Sequence, residues 1–198
     1  MPTQPYHKYV FDEKNRAFLG RFEEMYARED IEHYDSWFQD DLSHVGRQIC
    51  ALVINQKNFT NILDIGCGKG AFTNLMKKNN ARITGVDISK TAIERARGRY
   101  PDIDFRCQTA GQAFNGNDMW DLVVFIETLS YMENWKEIIQ KAAERSLNLF
   151  VSLYIPPDPI GFVKSFDELR VEILKYFKIE TEIVCNRETI LMMASKIL

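Results

Sequence analysis

Apolar residues along this chain follow two different periods, and the switch between them organises the reading. Phe18, Phe22, Met25 and Tyr26 fall at helical spacing and predict an amphipathic helix over 12–28. A second helix is expected after it, with Leu42, Val45, Ile49 and Leu52 on one face. From residue 61 onward, short apolar runs alternate with helical segments. "NILDIG" (61–66) reads as a buried strand and 70–80 as a helix. "ARITGVDI" (81–88) is a strand, and "SKTAIERARGRY" (89–100) a helix with Ser89 as N-cap and Pro101 as its stop. "IDFRCQ" (103–108) is a third strand, followed by a polar loop with room for one helical turn. "WDLVVFIE" (120–127) is the most continuously apolar run, as a strand buried on both faces requires. A helix over 134–145 and a strand over 147–155 complete the alternation.

The ending changes character. "PPDP" (156–159) interrupts the chain, and 165–177 predicts a helix capped by Ser165. "KIETEIVC" and "ETILMMASKI" then flank Asn186 and Arg187, which reads as two strands joined by a tight hairpin. Five strand–helix units closed by a hairpin predict an α/β, doubly wound, seven-stranded and mostly parallel sheet, its last strand antiparallel.

Composition narrows the class. At 198 residues the chain is long enough for one well-cored domain and short for two. A formal net charge of −3, with no dense Lys/Arg run, predicts neither nucleic-acid nor anionic-membrane partners. The apolar runs are too short to span a bilayer, and the first residues lack the pattern of a secretory signal. Cys50, Cys67, Cys107 and Cys185 form no C-x-x-C pair, and His7, His33 and His44 sit in no metal motif. A reduced, cytoplasmic protein without a metal is expected, a monomer or homodimer. Nine of the 24 aromatic residues fall before residue 39, which sets residues 1–45 apart as an aromatic helical cap on a core over 46–198. Tyr6, Tyr9, Phe11, Tyr34, Trp37 and Phe38 either pack that cap on the sheet or close it as a lid over a site, and the two roles are compatible.

The chemistry starts at Asp64, which precedes a turn containing Gly66, Gly68 and Gly70. In a doubly wound sheet, ligands lie beyond the carboxyl ends of the strands, where glycines allow close approach. A dinucleotide would set its pyrophosphate at this turn, and a carboxylate there would repel it. Asp64 fits a ligand presenting positive charge instead, such as the sulfonium and ammonium of S-adenosylmethionine. Asp87, ending the second strand, is placed to accept from ribose hydroxyls. An NAD-dependent oxidoreductase shares the glycine turn and the ribose acid, so that alternative stays open, with Asp64 against it. A non-catalytic cofactor-binding subunit stays open too.

"ILDIGCGKGAF", "GVDIS" and "WDLVVFIETLSYM" resemble the first, second and fourth strand motifs of the class I S-adenosylmethionine-dependent methyltransferases. Within that class, "ETLSYMENW" resembles the nodulation-factor N-methyltransferases. The resemblance implies a Rossmann-like sheet of order 3-2-1-4-5-7-6. It also implies S-adenosyl-L-methionine as co-substrate, S-adenosyl-L-homocysteine as product, and a small-molecule acceptor methylated on N or O, amino sugars and sugar derivatives among the candidates. By position, Asp64, Gly66, Cys67 and Gly68 would line the methionine end. Asp87 and Ile88 would meet the ribose and adenine, with Thr109 and Ala110 at the adenine's border. The family more often carries an acid near the third strand's end, where this chain has Gln108 and Gln112. Glu127 could bind an acceptor ammonium, contact the cofactor or cap a helix. Tyr131 is a candidate for orienting the acceptor, Tyr154 for a pocket wall, and His33 for a catalytic base.

Overall fold

The computed structural model describes residues 4–78 and 81–197. The first stretch contains a helical turn at His7–Val10, a two-stranded ribbon pairing Phe11–Asp12 with Ala17–Phe18, and helix α1, Phe22–Glu32. The helix expected over 12–28 is therefore displaced. Asp12 accepts from the Asn15 amide at 3.0 Å, which closes a side-chain-stabilised turn. Arg16 and Gly20 take φ of 55° and 62°, and these left-handed residues break the helical path until Arg21. Helix α2, Val45–Asn55, lies where one was expected but buries another face. Cys50, Val53 and Ile54 are inside, while Val45 and Leu52 stay 67% and 62% exposed. The helix carries two apolar stripes, and the contact with the sheet selects the one bearing Ile54.

The main sheet holds strands β1 Asn61–Ile65, β2 Arg82–Asp87, β3 Asp104–Cys107, β4 Trp120–Ile126, β5 Ser146–Tyr154, β6 Phe177–Cys185 and β7 Thr189–Lys196. Their order is β3-β2-β1-β4-β5-β7-β6, with β7 antiparallel to both neighbours and the other pairings parallel. This is the doubly wound topology the alternation predicts. Helices α3 Ala71–Leu75, α4 Lys90–Arg99, α5 Ala110–Ala113, α6 Trp135–Arg145 and α7 Phe166–Ile173 connect the strands. Ser89 and Ser165 cap α4 and α7 as expected, accepting from the amides of Ala92 and Glu168. Two expected helices are shorter than their patterns. Of the helix expected over 70–80, the described part ends at Leu75, and residues 79 and 80 lie outside the described residues. The helix expected over 165–177 stops at Ile173, because Phe177 is wholly buried as the opening residue of β6.

Alternate side chains of β1 and β4 feed two cores. Leu63, Ile65, Val123 and Phe125 pack toward α6 and α7, while Ile62, Leu122 and Val124 pack toward α2 and α4. The order reverses between β1 and β4, so the strand tips there splay around a crevice. At the far edge, Asn186 and Arg187 both take positive φ, 51° and 62°, as the central pair of a primed hairpin turn requires. Glycine accepts that conformation without a Cβ penalty of about 1 kcal/mol. Arg187→Gly is therefore expected to raise the melting temperature by roughly 2–4 °C in a thermal denaturation scan.

Candidate functional site

The crevice at the tips of β1, β2, β4 and β5 opens into a cavity of about 1400 Å³. That exceeds the roughly 300–1,000 Å³ of a single-ligand pocket and leaves room for two molecules. Its walls include Asp64, Gly66, Cys67, Asp87, Ile88, Thr109, Ala110, Glu127, Tyr131 and Tyr154.

The glycine turn is built by close approach. Gly66 has φ of 78°, and a Cβ on it would lie 2.3 Å from the Thr128 methyl. Thr128 Oγ1 in turn donates to the Ile65 carbonyl at 3.1 Å, which pins the turn after β4 to the turn after β1. The amides of Gly66 and Cys67 both donate to the Val86 carbonyl, at 2.7 and 3.0 Å. Gly68 is not on the cavity wall. Its amide donates to Asp87 Oδ2 at 3.0 Å, and the Gln39 side chain fills the space its Cβ would need, at 2.4 Å.

Two carboxylates face this turn. Asp64 is 2% exposed and accepts from Thr73 Oγ1 at 2.6 Å. Asp87 Oδ1 accepts from the Ser89 amide at 2.8 Å. Burial pushes the Asp64 carboxyl up to about 7, against the lowering bond from Thr73, and the charge of Asp87 adds to the rise. Burial also raises Asp87. Every hydrogen-bond donor described on either carboxylate is neutral. A ligand bringing positive charge would relieve both.

Glu127 closes β4 in a left-handed conformation, φ 57°, that a non-glycine residue adopts at a cost. Its amide donates to the Ser152 carbonyl at 2.7 Å. Its carboxylate accepts from Ser152 Oγ and from the Tyr154 amide, both at 2.5 Å. Both oxygens are thus tied to β5 and neither caps a helix. Burial raises this carboxyl as well. Tyr131 stands among aromatic rings from the first 38 residues. Phe18 stacks on it at 6.0 Å, and Trp37 and Phe22 lie at 5.4 Å.

Thr109 and Gln112 form a reciprocal capping box on α5, which occupies the Gln112 carbonyl oxygen and leaves Gln108 on the cavity wall. His33 is elsewhere: it is an exposed residue in left-handed conformation ending α1, and it does not line the cavity. His7 and His44 do line it, as does Arg47. Nothing in their sequence neighbourhoods marks them, because only the folding of residues 4–47 over the sheet brings them there. The Arg47 guanidinium is engaged by the carbonyls of Trp37, Phe38 and Asp41, all at 2.5 Å. Among the described residues, no helix is long and apolar enough to cross a membrane and no cluster could hold a metal ion.

A family model described as a methyltransferase domain matches residues 62–147. Nodulation protein S of Bradyrhizobium diazoefficiens is 34% identical over 111 residues, 54% of this chain and 50% of that protein. Malonyl-[acyl-carrier protein] O-methyltransferase of Acetivibrio thermocellus is 27% identical over 61% of this chain and 44% of its own. The chain spans about half the length of the curated relatives it matches. The N-methyltransferase NodS of Bradyrhizobium japonicum WM9, solved with S-adenosyl-L-homocysteine, shares the fold. Its TM-score is 0.67 at 20% identity, over 80% of this chain and 88% of that one. Residues 62–147 thus match a methyltransferase domain, and the chain is similar to the nodulation proteins over about half of their length.

The buried acid makes the stability of the free protein depend on pH. The unfolded chain releases the Asp64 proton near pH 4, while the folded one holds it to about 7. The folded state therefore binds more protons between those values, and stability falls as pH rises through that window. Asp64→Asn keeps the bond to Thr73 and removes the charge. Chemical denaturation at pH 5 and pH 8 is expected to show a smaller loss in this variant than in the parent.

Proposed function

We propose that this protein transfers the methyl group of S-adenosyl-L-methionine to an amine nitrogen of a small molecule, releasing S-adenosyl-L-homocysteine. The observation that carries the reading is the pair of carboxylates, Asp64 and Asp87, which meet only neutral donors at a glycine turn. Such a pair suits a cationic nucleoside and opposes a pyrophosphate, which argues against NAD. When bound, the sulfonium supplies an already activated methyl group. The chain's task is then to bind, orient and exclude water.

In this reading Asp64 offsets positive charge at the methionine end, while Gly66 and Cys67 give backbone access. Asp87 accepts from the ribose hydroxyls, and Ile88, Thr109, Ala110 and Gln108 border the adenine. Glu127, held by Ser152 and Tyr154, accepts an N–H from the acceptor and takes up the proton displaced from nitrogen. Tyr131 and its neighbouring rings flank the acceptor, which must arrive as the neutral amine, and their aromatic faces favour the positive charge that develops on nitrogen as the methyl is transferred. Residues 1–45 act as a lid on the core formed by 46–198, supported by the many cavity-lining side chains they supply. The four cysteines are unpaired, which supports a reducing, cytoplasmic setting. An O-methyl acceptor is the second reading: a hydroxyl must lose its proton to a base, and Glu127, with the cavity-lining His44 acting on it electrostatically, is the residue at hand.

S-adenosyl-L-homocysteine at a hundredfold its Kd is expected to stabilise the protein by about 2.7 kcal/mol, a melting shift of roughly 5–11 °C. NAD should give none, and Asp87→Ala should abolish the shift. The opposite ligand preference would select the oxidoreductase. Methyl transfer is checked with labelled S-adenosyl-L-methionine against primary amines, amino sugars included. Glu127→Gln is expected to lower turnover of an accepted amine by about 10²-fold while leaving the Kd for S-adenosyl-L-homocysteine unchanged.

A further inference from the structure

Lys69 stands between two glycines of the turn, yet its side chain avoids the cavity and is 5% exposed. Its ammonium lies 2.7 Å from Asp35 Oδ1, 3.3 Å from Glu29 Oε2 and 3.5 Å from Asp40 Oδ2. All three carboxylates belong to the first 45 residues, and Glu29 is itself 3% exposed. A buried ammonium is tolerated only when paired, so burying Lys69 and docking this segment are one event. The Lys69 amide also donates to Gln39 Oε1 at 2.7 Å, and Gln39 Nε2 donates to the Tyr26 hydroxyl at 2.6 Å. Gln39 and Tyr26 do line the cavity. Arg95 and Arg99 of α4 also pair with Glu29 and Asp40.

We infer that Lys69 is a positioning residue that latches residues 22–41 onto the glycine turn, so that the methionine end of the cofactor site exists only in the docked state. The inference rests on the reading that this turn receives S-adenosyl-L-methionine. Its consequence is reciprocal: the docked segment raises cofactor affinity, and bound cofactor holds the segment down. When the latch opens, the apparent Kd rises in inverse proportion to the docked fraction.

The test uses the full chain, with calorimetry for S-adenosyl-L-homocysteine and hydrogen exchange read by mass spectrometry. Wild type must bind first; no binding would sink the cofactor reading itself, independently of the latch. Lys69→Met and Asp35→Asn are each expected to weaken S-adenosyl-L-homocysteine by about tenfold or more. They should speed exchange in 22–41 while β1 and β4 keep their protection. Lys69→Arg, which retains the charge, should recover most of the affinity. Lys77→Met, which removes a lysine from an exposed pair with Asp102, should match wild type. Asp35 is 28% exposed, so its variant carries the test if Lys69→Met does not fold. Unchanged affinity in Asp35→Asn, or faster exchange in 22–41 with affinity retained, overturns the latch.

Discussion

Negative charge confined beside a glycine turn, with only neutral donors around it, is the constraint on which the rest of this structure hangs. Asp64, next to last in β1, and Asp87, last in β2, lie on adjacent parallel strands, so the sheet's own spacing brings the charge of Asp87 to bear on the buried Asp64. The fold could have placed a lysine there and gained stability. Instead the lysine of the glycine turn, Lys69, is buried against three other acids. The arrangement keeps an electrostatic deficit open for a ligand, at the expense of the free protein's stability near neutral pH.

The turn after β4 depends on the same geometry. Thr128 fits because Gly66 has no side chain, and its hydroxyl ties the two turns together. Glu127 is thereby carried into a left-handed conformation and held at three points by β5. A strained acidic residue, over-determined by its neighbours and facing a cavity, is the kind of feature that packing alone does not produce. The aromatic residues of the first 38 positions gather on Tyr131 close by, so that both halves of the chain form one wall.

The sheet was legible in the sequence because local signals agreed with one another. Apolar runs, serine caps and the Asn186–Arg187 hairpin each marked an element boundary to within a residue or two. The glycine turn and the acids at 64 and 87 were legible for the same reason, since a strand end followed by a turn fixes where a side chain points. Three readings failed where two local solutions compete. Phe18 fits a helical stripe but joins a ribbon, because left-handed residues at 16 and 20 interrupt the helix. Helix α2 offers two apolar faces, and only the sheet chooses between them. Phe177 fits the end of α7 but is drawn into β6, where it is fully buried.

What the sequence determined by itself was therefore the class of sheet, its hairpin ending and the acids at its strand tips, all encoded within a few residues of one another. Tertiary structure alone decided which distant residues share the cavity. It turned His33 outward and brought His7, His44 and Arg47 in. It laid Gln39 on Gly68 and gave Lys69 its acids from 29 to 40 residues away. Contacts of that kind depend on how one packed surface meets another, and side-chain periodicity along a single segment carries no record of it.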